Sequence, residues 1–422
     1  MKNVEDIVSI KWKKVNSFLE NRTSEVLRNY RPCPICGSID SKTVLGMDNF
    51  QFYSDSRNKP KLFNIRESIC LSCFAIYLNP CYSEYGFNVL FSEAGKSYGS
   101  SQEHTDEQIT WLKDNKLLDD GICLFDVGCY EGGFLSKLPD SIKKIGIDID
   151  KSAIERGRKK NKKFDIEFFY GDFETFLYDG PELDTITMYH VLEHLPRPIE
   201  VLKKLRSISK PSTKIVVEVP IIENGNTNDI NSFFSVQHTT HFSENSLFNC
   251  FALAGWKIVK KYKTSDYNGY RIVASPSPQL DKDSNIVLKQ EKKEWSNLNS
   301  SLLSWYKAIE VVENIVQDIP KYNRFVIWGG GAHTEFFYQK TSFFHIHHQS
   351  EFIIIDADPV KHGKTWRGIP IYAPSIIKKL DWSSTGLIVS SYGGQESIIN
   401  EASELGVPGI NITRLYKEIR QY

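Results

Sequence analysis

The 422-residue chain lacks a net charge: Lys plus Arg and Asp plus Glu both number 52. Without an excess of positive charge a nucleic-acid partner loses its usual electrostatic support, although a local basic patch would be hidden in this total. Long apolar runs are missing as well. No stretch approaches the roughly 18 uninterrupted apolar residues of a membrane span, and the charged opening MKNVEDIVSIKWKK has no apolar signal-peptide core. The expectation is a cytoplasmic protein without a membrane partner. Disulfide staples are not called for either, because half of the eight cysteines form two C-x-x-C pairs and the rest are scattered, which fits metal binding in a reducing cell. The remaining composition, 41% hydrophobic, 13% aromatic and 25% charged, is that of a globular chain long enough for two to three domains.

The organising stretch is Leu124–Leu135, LFDVGCYEGGFL. The apolar run Ile122–Val127, with Asp126 inside it, predicts a buried parallel strand that breaks at Gly128. Gly128, Gly132 and Gly133 then allow a tight turn into a helix whose free N–H groups face a ligand. Many such turns merely pack a helix on a sheet, so the following residues matter. KKIGIDID predicts a second strand ending in Asp148, 22 residues after Asp126, where an acid takes ribose hydroxyls. Tyr170-Gly171-Asp172-Phe173 is a third strand end carrying an acid suited to an adenine amino group, and DTITMYHVLEH a fourth strand running into a helix.

These motifs, in this order, resemble the class I S-adenosylmethionine-dependent methyltransferases over roughly residues 98–273. The resemblance implies cofactor contacts from Asp126, Gly128, Tyr130, Gly132, Asp148, Asp172 and Tyr189, with Tyr98 closing over the cofactor. Tyr130 stands where many members have a glycine, as in branches that modify sugars. A dinucleotide dehydrogenase is the alternative, weakened because its G-x-G-x-x-G is tighter than this loop.

Upstream, residues 4–29 carry the pattern of one or two amphipathic helices. Cys33, Cys36, Cys70 and Cys73 are spaced as two knuckles that place four thiolates at the corners of a tetrahedron, with a few short strands between them: a zinc ribbon with no open coordination position, hence structural. A redox C-x-x-C is the competing reading. Cys81, Cys123, Cys129 and Cys250 read as buried small residues, Cys129 also being placed against the cofactor.

Downstream, KIVVEVP is a fifth strand, and the polar stretch IIENGNTNDINSFFSVQHTTHFSENSLF is the candidate substrate loop. Trp295, Leu298, Leu302, Trp305, Ile309 and Val312 form a short seam, read as a helix packed on its own chain or a dimer stalk, so the expected state is a monomer or homodimer. RFVIWGGGAHTEFF and EFIIIDADP restart a strand, glycine turn and helix. Gly329 to Gly331 could hold a diphosphate, with His333 and Thr334 at the helix start. A third glycine is missing, and a purely packing role is the alternative.

Zinc module, methyltransferase core and a third Rossmann-type domain together resemble the three-part sugar C-methyltransferases that act on nucleotide-linked deoxysugars. Aligning backwards from Phe242-Ser243 puts His238 at that family's general base. Gln237, Val236 and Ser235 replace the glutamate, first histidine and tyrosine of the family's run. His241-Phe242-Ser243 also reads as a loop-to-helix junction, with Ser243 capping the helix from Glu244. His190 and His194 compete with His238 and His241 for a catalytic role.

The expected architecture is α/β: a helical segment (1–30), a zinc ribbon (31–82), a seven-stranded Rossmann-like methyltransferase core (83–275), a linker and helix (276–320) and a smaller Rossmann-like domain (321–422). The expected activity is methyl transfer from S-adenosylmethionine to a small acceptor, which the resemblance makes a nucleotide-linked sugar, methylated on carbon or oxygen. A zinc-containing RNA methyltransferase and a non-catalytic scaffold are the rivals. The balanced charge argues against the first and the three strand-end acids against the second.

Overall fold

The structure, a computed structural model, describes residues 10–11, 30–52, 61–83, 86–87, 102–224, 228–264, 268–277 and 291–420. Tyr98 and most of the expected amino-terminal helical segment lie outside these residues. Within that segment Ile10 and Lys11 form a strand, β1 (Ile10–Lys11), where a helix was expected.

β2 (Ser41–Phe52) and β3 (Lys61–Cys70) form a hairpin, longer than the short strands the sequence suggested, and β4 (Ile76–Leu78) pairs with β3. Burial alternates along the hairpin: Leu45, Met47, Ile65 and Ile69 turn inward, the period-two pattern of a sheet with one packed face.

The central sheet holds five parallel strands, β5 (Cys123–Val127), β6 (Lys143–Asp148), β7 (Ile166–Tyr170), β8 (Leu183–Tyr189) and β9 (Ser209–Pro220). The chain then leaves it. β10 (Thr240–His241) crosses over and pairs with β4, so the ribbon sheet takes its fourth strand from the substrate loop. β11 (Trp256–Lys263) and β12 (Gly269–Pro276) return as the antiparallel pair expected, giving the order β7-β6-β5-β8-β9-β12-β11. Strands two and three lie on one side of β5 and strands four and five on the other. That reversal opens a crevice above the carboxyl ends of β5 and β8.

The last sheet comprises β13 (Arg324–Trp328), β14 (Glu351–Ile355), β15 (Thr365–Trp366), β16 (Ile369–Tyr372), β17 (Thr385–Val389) and β18 (Ile412–Arg414), ordered β15-β16-β14-β13-β17-β18. β1 joins it antiparallel to β14. The Glu291–Gln317 helix buries Leu298, Leu302, Trp305, Val312 and Val316 in one core with Phe50 and Ile65 of the ribbon and Phe336 and Ile354 of the last domain. Its apolar seam is therefore filled from within the chain. Phe233 and Phe234, assigned to a polar loop, belong to the same core: their aromatic area is removed from water where the modules meet. No helix among the described residues is long and apolar enough to cross a membrane.

Candidate functional site

The turn after β5 is fixed by packing. Gly128 has φ +81°, and a Cβ there would lie 2.2 Å from Val191 Cγ2. Gly132 has φ +74°, and its Cβ would fall 2.4 Å from Phe168 Cζ. Neighbouring side chains thus leave no room for a Cβ at either glycine. Tyr130, at φ 49°, donates its N–H to Asp148 Oδ2 at 2.8 Å, and Asp148 Oδ1 accepts from Asp150 N at 2.8 Å. Asp126 Oδ1 accepts from Thr187 Oγ1 at 2.7 Å. Burial pushes Asp126 up to about 7, against the Thr187 hydrogen bond, and Asp148 up to about 6, against its backbone donors. Gly171 N donates to Asp148 O at 3.0 Å, which sets the exposed Asp172 beside this pair. The acids predicted at three strand ends thus stand at neighbouring edges of one crevice.

Two further residues of this region also have protein neighbours. Tyr189 packs on Phe134, with ring centroids 5.3 Å apart, and stands 5.9 Å from the Arg271 guanidinium. Cys129 is a buried core residue beside Leu135 and Ile154.

Behind the crevice lies a carboxylate and imidazole network that sequence reasoning missed. Glu218 of β9 and Arg271 of β12 are register partners and meet as a fully buried ion pair. Arg271 is the single charge of its strand, and Glu218 stands within the apolar run of β9 after Lys214, a signal that would have paired them. Glu218 Oε1 also lies 2.9 Å from His104 Nε2 and 3.4 Å from His190 Nε2. Gln108 Nε2 donates to Glu218 Oε1 at 3.3 Å, and Glu107 bonds the outer face of Arg271. Burial opposes a charge on His190, yet Glu193 and Glu218 hold its pKa up, to about 10.

The substrate loop adds the remaining imidazoles. His194 Nδ1 lies 3.0 Å from Gln237 O. His238 crosses the His194 ring at 5.0 Å and 68°. Burial, then repulsion from His194, His241 and His190, drives the His238 pKa well down, so it is neutral and carries a lone pair. His241 is 3% exposed, closed in by Phe233, Phe234 and Glu67. That burial sets it apart from His238, which is half-buried. Ser243 caps the Glu244–Leu253 helix in a reciprocal box with Ser246.

At the knuckles, Cys33 and Cys73 sulfurs are 3.5 Å apart, as are Cys36 and Cys70, and all four lie within 4.8 Å of one another. Both turns close alike: Gly37 N donates to Cys33 O and Phe74 N to Cys70 O, each at 3.0 Å, with Gly37 at φ 73° and Phe74 at φ 59°. The hydrogen bond with Cys33 lowers the Cys36 thiol to about 7. Four converging sulfurs fit a closed tetrahedral site.

The carboxyl-terminal turn copies the first. Gly329 N donates to Ile355 O as Gly128 N does to Ile147 O, both at 2.8 Å. Gly330 N and Asp358 N donate to the Asp356 carboxylate as Tyr130 N and Asp150 N do to Asp148. Here, however, Lys361 Nζ sits 3.0 Å from Asp356 Oδ2. His333 lies 2.6 Å from Tyr416 Oη and 3.0 Å from Ser390 Oγ, while Tyr416 donates to Asp229 of the substrate loop at 3.2 Å. Thr334 donates to Ser390 Oγ at 2.8 Å and is fully buried. His333 thus joins the substrate loop to the last domain through Tyr416, while Thr334 bonds within the last domain, to Gly329 O and Ser390 Oγ.

Comparison with known proteins bears on the central part. An alignment with the crystal structure of the PH0226 protein from Pyrococcus horikoshii OT3 has a TM-score of 0.36 and 21% identity, covering 47% of this chain and 100% of that one. The chain is 30% identical over 117 residues to ubiquinone biosynthesis O-methyltransferase of Coxiella burnetii, 27% of this chain and 46% of the relative. It is 27% identical over 103 residues to demethylmenaquinone methyltransferase of Lactococcus lactis subsp. lactis, 23% of this chain and 41% of the relative. The chain thus spans less than half the length of these curated relatives. Residues 102–261 match the family described as a methyltransferase domain. That match and the two curated relatives agree on a methyltransferase domain in the central part of the chain.

Proposed function

We propose that the protein transfers a methyl group from S-adenosylmethionine to a small acceptor, a nucleotide-linked sugar. The observation that carries this reading is the crevice itself: Asp126, Asp148 and Asp172 line neighbouring strand ends, and a neutral His238 belongs to the imidazole cluster of the substrate loop. Asp148 would take the ribose hydroxyls and Asp172 the adenine amino group. The reaction is a displacement at the sulfonium methyl carbon. The acceptor atom forms the new bond to carbon while the carbon–sulfur pair returns to sulfur, so the protein's main task is to hold three atoms in line and exclude water. Where the acceptor must lose a proton, the His238 lone pair takes it.

The four thiols are assigned to a structural zinc ion, which stiffens the ribbon and supplies no chemistry. The backbone of Gly329 and Gly331 is assigned to the nucleotide diphosphate. The test is to incubate the chain with labelled S-adenosylmethionine and a panel of acceptors, then locate the label by mass spectrometry. The panel holds nucleotide sugars together with quinone precursors, because two similar proteins are named for quinone methylation. Label on a nucleotide sugar supports the full reading. Label on a quinone precursor alone removes the sugar, and absence of S-adenosylmethionine binding by calorimetry removes the enzyme.

A further inference from the structure

Glu193 lies in the segment that leaves β8, at the floor of the imidazole cluster. The residue is 1% exposed, and neither carboxylate oxygen takes a hydrogen bond from the described residues. An ionised carboxylate buried in that state is strongly unfavourable unless positive charge answers it, and the His190 ring beside it supplies part of that charge. Two histidines approach the same oxygen: His190 Nδ1 at 3.5 Å and His194 Nε2 at 3.9 Å from Oε1.

The tautomer of His194 sharpens the point. Its Nδ1 faces the carbonyl oxygen of Gln237 at 3.0 Å. A carbonyl only accepts, so Nδ1 bears a hydrogen, and Nε2 is the ring atom turned toward Glu193. One ligand atom each from Glu193, His194 and His238 lies within 4.8 Å of the other two. A carboxylate oxygen and two imidazole nitrogens thus converge on one small volume. The neighbouring trio of His104, His190 and Glu218 is equally close, but there Gln108 and Arg271 already bond the carboxylate.

We propose that Glu193, His194 and His238 bind a divalent first-row cation, such as Zn²⁺ or Mn²⁺, at a nitrogen and oxygen site separate from the four thiols. Two imidazoles and one carboxylate are a fitting set for such ions, and three protein ligands leave a position open. Glu193 lies beneath, while His194 and His238 are half-buried, so that position faces the crevice.

The role of the ion rests on the reading of this crevice as the methyl-acceptor site. An acceptor hydroxyl in the open position loses its proton to solvent more readily when bound to the cation. Its oxygen lone pair then forms the bond to the methyl carbon as the carbon–sulfur pair returns to sulfur. In the loaded enzyme the His238 lone pair is given to the ion. In the unloaded enzyme it takes the acceptor's proton itself.

Cobalt(II) substitution of the full-length chain tests the site without cofactor or acceptor. Cobalt held by thiolates shows intense near-ultraviolet charge-transfer bands, whereas cobalt held by nitrogen and oxygen shows only weak visible bands. The expected result is two equivalents per chain, one of each type, with Glu193→Gln and His194→Ala each losing the second and retaining the thiolate bands as evidence of an intact fold. A single thiolate-type equivalent in the wild-type chain overturns the proposal, whether or not the variants fold. So does a second equivalent that survives Glu193→Gln unchanged. Failure to methylate any acceptor, with both equivalents bound, would sink the proposed function and leave the site standing.

Discussion

His241 Nε2 lies 3.3 Å from Glu67 Oε1, and the two side chains are each 1% exposed. Glu67 belongs to β3 of the ribbon and His241 to β10 of the substrate loop, so the contact ties the metal-binding module to the strand that follows His238. Glu67→Ala is expected to destabilise the chain by about 1–3 kcal/mol, the cost of a buried polar group left without its partner. Urea unfolding measures it, and Glu67→Gln, which keeps a polar partner, should recover much of the loss.

Replacing His238 by alanine is expected to lower turnover by about 10²–10⁴. Calorimetry should find S-adenosylmethionine affinity unchanged, because the cofactor-facing acids belong to other elements. An unaltered rate would take His238 out of the mechanism.

Asp126 supplies a pH signature. Its folded pKa, about 7, stands above the ordinary 3.8, so the folded chain holds this proton more tightly than the unfolded one. Stability from this group is highest below about pH 4, falls as pH rises towards 7, and is level thereafter. Asp126→Asn removes that penalty. The cofactor-free variant should be more stable than wild type at about pH 8, by at most about 4 kcal/mol, and should lose the advantage near pH 4. Melting temperatures at the two pH values decide it.

The four thiols predict a joint loss. Cys36→Ser with Cys70→Ser, or a strong chelator, should release one metal ion and unfold the ribbon, since such sites contribute roughly 10–16 kcal/mol of apparent binding energy. Because β10 is an edge strand of that sheet, methyl transfer should fall in step with metal release, followed by a chromogenic zinc indicator. Full activity in the metal-free chain would show that the ribbon is dispensable.

The acids at Asp126, Asp148 and Asp172 were legible because strand, turn and terminal carboxylate are encoded within a few consecutive residues. The paired cysteines were legible for the same reason. Contacts between distant segments left weaker traces. Glu218 and Arg271 could have been paired as charges set within apolar runs of their strands, but nothing in the residues around His104 points to them. Thr240 and His241 are too few to show a strand period, so their crossing to β4 was invisible. At Gly132 the residue was noticed but not its packing reason: Phe168, far along the chain, occupies the space. His333 and Thr334 looked like ligand contacts because a helix start resembles an anion site whether or not a tyrosine such as Tyr416 has reached it first.

The pairing of Ile10 and Lys11 with Phe352 and Glu351 sets an order of assembly. The Ile10–Lys11 strand must wait for partners translated far later in the chain, and the ribbon must likewise wait for Thr240. The outer modules therefore close after the central sheet has been synthesised. A fragment cut at either apparent boundary would carry an unfinished sheet edge into solution, a template for association with other chains.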